Sequence, residues 1–172
     1  MERTDDHYVR RSKFGLHELL AGVEANIQKD GSLDLTDDSL SRLDLVIAGV
    51  HALFDLSREE MTERIIRALR HEQVDILAHP TGRKVGERRS YELDWEEVFS
   101  AARESGTALE INASPSRTDL EDKIIKRAVE SGVPLSIGTD SHRLSHLDFM
   151  ELGVHLARRG WCEADHLLNT FS

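Results

Sequence analysis

Residues 43–79, LDLVIAGVHALFDLSREEMTERIIRALRHEQVDILAH, contain one complete strand–helix–strand unit, and their reading decides the fold. Leu43–His51 (LDLVIAGVH) and Val74–His79 (VDILAH) are almost continuously apolar, the pattern of strands covered on both faces rather than alternately wet and dry. Between them, Ser57–His71 opens with Ser-Arg-Glu-Glu, a serine cap with a glutamate three residues on. The segment then places Met61, Ile65, Ala68 and Leu69 on one stripe, as an amphipathic helix requires. The same alternation extends to both sides. Leu19–Ala25, Thr107–Ala113 and Val133–Thr139 read as further strands. Asp94–Ser105 reads as a helix with an Asp cap and Gly106 as its stop, burying Val98, Ala101 and Ala102. Asp119–Ser131 reads as another, with Leu120, Ile124, Ala128 and Val129 inward and Gly132 at its end. A helix over Asp148–Arg159 and a short one near Glu163–Asn169 close the pattern.

Strand, helix, strand, helix with short connections specifies a parallel sheet or a (β/α) barrel. Gln28–Asp38 and the basic Pro80–Tyr91 are surface excursions, so all 172 residues are expected to form a single domain. Asp5–Lys13 is read as the tail of a helix preceding the first strand.

Charge and cysteine content exclude several classes. With 22 Lys and Arg against 32 Asp and Glu, the net charge is −10, which argues against coating nucleic acid or anionic membrane by bulk attraction. Cys162 stands alone, so neither an internal disulfide framework nor a four-cysteine zinc site is available, and a reducing compartment is the default. No apolar run approaches the ~18 residues of a membrane span, and residues 1–20 are rich in charge. A cytoplasmic protein without membrane contact is expected.

Functional groups in parallel α/β folds gather at the carboxyl ends of the strands. Here the first run reaches Glu24, the second ends at His51, the third at His79, and the fifth in Asp140 and His142. The fourth carries Glu110 and Asn112. Imidazole and carboxylate are the ligand types that hold Zn²⁺, Mn²⁺ or Fe²⁺. A carboxylate inside an apolar strand, as at Glu24, is costly unless paired or metal-bound. Glu24, His51, His79, Asp140 and His142 are therefore the expected metal ligands. Glu110 reads equally as a ligand or as a buried structural carboxylate, and His146 lies close enough to the Asp140 turn to stay open. His7, His17, His71, His155 and His166 fall in polar or helical stretches and read as solvated.

These residues also carry a resemblance. GVEANI around Glu24, AGVH at His51, ILAHPTGR around His79, EINASPSR from Glu110 and GTDSH around Asp140 together resemble the PHP (polymerase and histidinol phosphatase) domain. They are most similar to the version fused to bacterial and archaeal family X DNA polymerases, as are LSREEMTERIIRAL, GVHLARRGW and LLNT. The similarity covers roughly residues 16 to 171, and the ligand separations of 27, 28 and 61 residues match as well. The resemblance implies a distorted, TIM-like (β/α)₇ barrel and one to three divalent ions, Mn, Zn or Fe. It also implies hydrolysis of phosphoesters, DNA 3′-ends included. By the same resemblance Glu24 bridges two metals, His51 and His79 bind one of them, Asp140 another and His142 the third. Arg83 and Arg117, in loops after the third and fourth strands, are candidates to hold a substrate phosphate bidentately.

The chain also departs from the family. Its first strand carries no His-x-His, and no Thr-Asp-His motif stands in place. The expectation is thus an incomplete barrel of about five parallel strands lacking the first two βα units. Such a sheet would have an open edge, completed by a second copy of the chain or by a missing fused domain. Two alternatives accompany the phosphoesterase: an inert PHP remnant acting as an interaction module, and an amidohydrolase, disfavoured because no lysine lies at a strand end.

Overall fold

The computed structural model describes residues 20–170. Five parallel strands form one open sheet in sequence order: β1 (Gly22–Asn26), β2 (Leu45–Gly49), β3 (Ile76–Leu77), β4 (Ala108–Asn112) and β5 (Leu135–Gly138). Glu24 is in register with Ile47, Ile47 with Ile76 and Ile76 with Ala108, so the strand ends form one continuous rim. The architecture is the expected incomplete TIM-like arrangement, α/β with helices flanking an open five-stranded sheet. The proposed helix over Asp5–Lys13 and the start of the Leu19–Ala25 run lie outside the described residues.

Among the described residues five α-helices accompany the sheet: α1 (Asp37–Leu40), α2 (Arg58–Leu69), α3 (Trp95–Ser105), α4 (Asp122–Glu130) and α5 (Met150–Arg159). Both halves of the capping box at Ser57 and Glu60 form, and Met61, Ile65, Ala68 and Leu69 are buried as the stripe requires. Asp94 accepts from the main-chain N–H groups of Glu96 and Glu97, and Gly106 ends α3 at φ +77°, a conformation glycine adopts without strain.

Three boundaries differ from the periodicity. α4 starts at Asp122 rather than Asp119, because the Asp119 main chain pairs antiparallel with Asn112 instead of entering the helix. Its most buried side chains are Ile125 and Ala128, with Leu120 buried just ahead of it. Residues Leu144–Phe149 form a 3₁₀ turn before α5, and the segment near Glu163–Asn169 resolves into two 3₁₀ turns, Ala164–His166 and Leu168–Thr170. The short α1, which begins in the last two residues of the Gln28–Asp38 excursion, is capped by Thr36 and held by buried Leu40.

Among the described residues, no helix is long and apolar enough to cross a membrane. Cys162 is 8 % exposed, and burial, with a smaller contribution from Asp165, pushes its thiol up to about 11. Only the thiolate alkylates. At pH 8, iodoacetamide should label native Cys162 roughly 100-fold more slowly than the denatured chain, in proportion to its thiolate fraction. Mass spectrometry of quenched samples reads this directly, and equal rates would show that the thiol is not buried as described.

Candidate metal centre

Gly49 is the floor of the site. It is the last residue of β2, two before His51, and a Cβ built there would meet His51 Cε1 at 2.9 Å, Glu24 Oε1 at 3.1 Å and His79 Cε1 at 3.1 Å. Three side chains from three adjacent strands therefore converge over a backbone that offers no side chain of its own. Glycine inside a strand commonly marks such a close approach. Oε1 of Glu24 lies 2.9 Å from Nε2 of His51 and 3.1 Å from Nε2 of His79, and the two rings meet edge to face at 5.2 Å.

The electrostatics favour an ionised carboxylate. Hydrogen bonds from His51 first, then His79, hold the Glu24 carboxyl well below the usual carboxylate range despite its partial burial. Nδ1 of His51 lies 3.4 Å from Oδ1 of Asn26. In the metal-free protein Nε2 therefore carries the proton donated to Glu24; with a cation in its place, a proton on Nδ1 shared with Asn26 would leave Nε2 free as a ligand atom. His79 is 2 % exposed, and its Nδ1 is buried with no hydrogen-bond partner. One atom from each of Glu24, His51 and His79 lies within 4.8 Å of the others. An anionic oxygen, two imidazoles, an orphaned buried ring nitrogen and a glycine floor together fit a divalent cation.

The main chain of His79 is held as firmly as its ring is placed. Its φ of +31° is unfavourable for a residue with a Cβ. The N–H of His79 donates to Oε2 of Glu110 at 2.7 Å, and Asn112 Nδ2 donates to the same oxygen at 3.1 Å. Glu110 thus serves as a buried anchor for a ligand residue. Burial raises its carboxyl above the usual range, opposed by the hydrogen bond from His79. Two residues on, the Thr81 N–H points at both oxygens of Asp119, at 3.0 and 3.3 Å. Burial pushes that carboxyl up to about 6.

Asp140 and His142 stand in a second group at the end of β5. Asp140, at φ +50°, faces Nε of Arg117 at 3.5 Å. His142 places Nδ1 2.9 Å from the Asp140 carbonyl, and its side chain is 77 % exposed. Of the five expected ligands, the fold brings three to one point, sets Asp140 beside Arg117 and places His142 against Asp140. Nη1 of Arg117 is buried without a partner, so this guanidinium keeps a free donor. Arg83 donates to the carbonyls of Arg117 and Thr118, to Thr118 Oγ1 at 2.8 Å and to Glu121 at 2.5 Å, which engages four of its five N–H groups. It clasps the loop that carries Arg117. His146 accepts from Arg143 Nε at 2.6 Å and stacks on Phe149. His71, His155 and His166 sit beside Asp37, Glu151 and Glu163 respectively, away from the site, and His7 and His17 fall outside the described residues.

The periodicity reading missed Asn26, Gly49 and Gly138. Each had a signal. Asn26 closes β1 two residues after Glu24, and each glycine interrupts an apolar strand two residues before a ligand candidate.

No family model matches the chain. It is 44 % identical over 161 residues to the DNA polymerase/3′-5′ exonuclease PolX of Bacillus subtilis (strain 168), covering 94 % of this chain and 28 % of that protein. It is 37 % identical over 163 residues to a probable phosphatase of Thermoanaerobacter sp. (strain X514), covering 89 % and 64 % respectively. To a probable phosphatase of Shewanella sp. (strain ANA-3) it is 38 % identical over 160 residues, covering 88 % and 61 %. The chain thus spans less than two thirds of the length of each of these relatives.

Proposed function

From its relationship to PolX and to probable phosphatases, we propose that this chain is a PHP-type, metal-dependent phosphoesterase acting on phosphomonoesters or on terminal phosphodiesters such as a DNA 3′-end. The convergence of Glu24, His51 and His79 over Gly49 is the observation that carries this reading. A Mn²⁺, Zn²⁺ or Fe²⁺ ion held there supplies an activated water and positive charge for attack on phosphorus. Glu24 contributes the anionic oxygen shared between both histidines, and Asn26 Oδ1 would accept from His51 Nδ1 once Nε2 ligates the ion. Asp140 and His142 offer further ligand atoms beyond β5. Arg117, with a free buried donor beside Asp140, binds a phosphate oxygen of the substrate. Arg83 supports that role by fixing the Arg117 loop. This reading assigns no covalent nucleophile among the described residues, so the protein binds, orients and neutralises charge.

The separation of Asp140 and His142 from the three-residue cluster favours a second reading, an inert module without turnover. Three measurements separate them. The phosphoesterase should bind at least one Mn²⁺ tightly per chain, raise its unfolding temperature on Mn²⁺ addition, and turn over p-nitrophenyl phosphate or 3′-recessed DNA only with the metal. Less than one tightly bound ion per chain, with no Mn²⁺-dependent thermal shift and no turnover, would establish the inert module instead.

A further inference from the structure

Arg64 lies on the core face of α2, 2 % exposed, among Met61, Ile65 and Ala68. Its guanidinium donates to four main-chain carbonyls: Nε to Gln28 at 2.8 Å, Nη2 to Ile27, and Nη1 to Ala52 at 3.0 Å and Leu53 at 3.3 Å. Those carbonyls belong to two turns. Residues 27–28 follow Asn26 at the end of β1, and residues 52–53 follow His51 beyond β2. The contact between Asn26 Oδ1 and His51 Nδ1 spans the same gap on the site side. Leu53, whose carbonyl Arg64 holds, sits at φ +57°, a conformation unfavourable for a residue with a Cβ.

A buried cation is a poor device for packing alone. Apolar replacements of similar volume are often neutral or stabilising where buried charge serves no further end. The Ala52 and Leu53 turn is exposed, so water could satisfy those carbonyls without an arginine beneath them. What the guanidinium adds is a fixed spacing, since its planar fork holds several acceptors in one geometry. We propose that Arg64 is a positioning residue for the Glu24–His51–His79 cation site. It clamps the two turns so that the His51 ring stays aligned between Asn26 and Glu24. This inference rests on the metal reading above, and its test separates the two.

Full-length protein, wild type and the variants Arg64→Met and Arg64→Lys, is titrated with Co²⁺ well below the unfolding temperature. The visible Co²⁺ spectrum and the affinity are followed, together with the ¹⁵N signals of the His51 ring in metal-free protein. Arg64→Met should weaken Co²⁺ binding roughly 10–100-fold, the usual cost of losing a group that orients a ligand. It should also alter the Co²⁺ bands and shift the His51 ring signals before any metal is added. Arg64→Lys keeps the charge but reaches only one turn, so it should fall between. Wild-type Co²⁺ affinity and spectrum in Arg64→Met, even with a lowered unfolding temperature, would reduce Arg64 to a structural role and overturn the proposal. Should Arg64→Met fail to fold, wild-type values in Arg64→Lys would overturn it equally. Wild type that binds no Co²⁺ sinks the metal reading and this inference with it, whereas an intact wild-type site with unperturbed variants sinks this inference alone.

Discussion

Glu24→Gln should lose at least ~100-fold of Mn²⁺-dependent phosphoester hydrolysis while keeping its fold. Groups that only orient a metal ligand commonly cost ~10–100-fold when removed, and Glu24 is proposed as the ligand itself. The substitution keeps size and shape but replaces the anionic oxygen shared by His51 and His79 with a neutral amide. Its side chain is partly exposed, so little stability should be lost. The measurement compares turnover of p-nitrophenyl phosphate and 3′-recessed DNA, with and without Mn²⁺, for wild type and variant of matched circular dichroism. Equal activity in both proteins would place the hydrolysis somewhere other than this cluster.

That prediction rests on residues whose positions were legible in the sequence. Glu24, His51 and His79 could be found because they end, or interrupt, apolar strands, and a parallel sheet brings successive strand ends together. The same logic expected Asp140 and His142 at that point. It could not supply side-chain direction: Asp140 turns into a left-handed conformation and faces Arg117, while His142 folds back on the Asp140 carbonyl. Arg83 shows a similar limit, because a cation in a loop after a strand reads as a phosphate ligand, while its hold on the carbonyls of the Arg117 loop is visible only in the fold. The start of α4 slipped for a tertiary reason, since the Asp119 main chain is taken by Asn112. Arg64 is absent from the predicted stripe of Met61, Ile65, Ala68 and Leu69, although Met61, Arg64, Ile65 and Ala68 follow its i, i+3, i+4, i+7 spacing. Only what it would hold was hidden, because that depends on two turns far from it in the chain.

Gly138→Ala should destabilise the protein and weaken metal binding together, because the glycine at the end of β5 makes room for the anchor of His79. A Cβ at residue 138 would lie 2.1 Å from Oε1 of Glu110 and 3.0 Å from its Cδ. The far end of a glutamate could ordinarily move aside. Here it is buried, and its other oxygen accepts from the His79 N–H and from Asn112. Moving it breaks hydrogen bonds that no water replaces and frees a residue held at φ +31°. Overpacking of this kind costs about 1–3 kcal/mol, which corresponds to an unfolding midpoint lowered by roughly 2–12 °C in a chain of this size. Mn²⁺ affinity should fall in the same variant, since the His79 ring follows its backbone. Shortening the anchor tests the cause: Glu110→Asp in the Gly138→Ala background should recover stability relative to Gly138→Ala alone. The two substitutions would then couple favourably in a double-mutant cycle. Additive losses, or a Gly138→Ala protein as stable as wild type, would mean that the glycine is not there to admit Glu110.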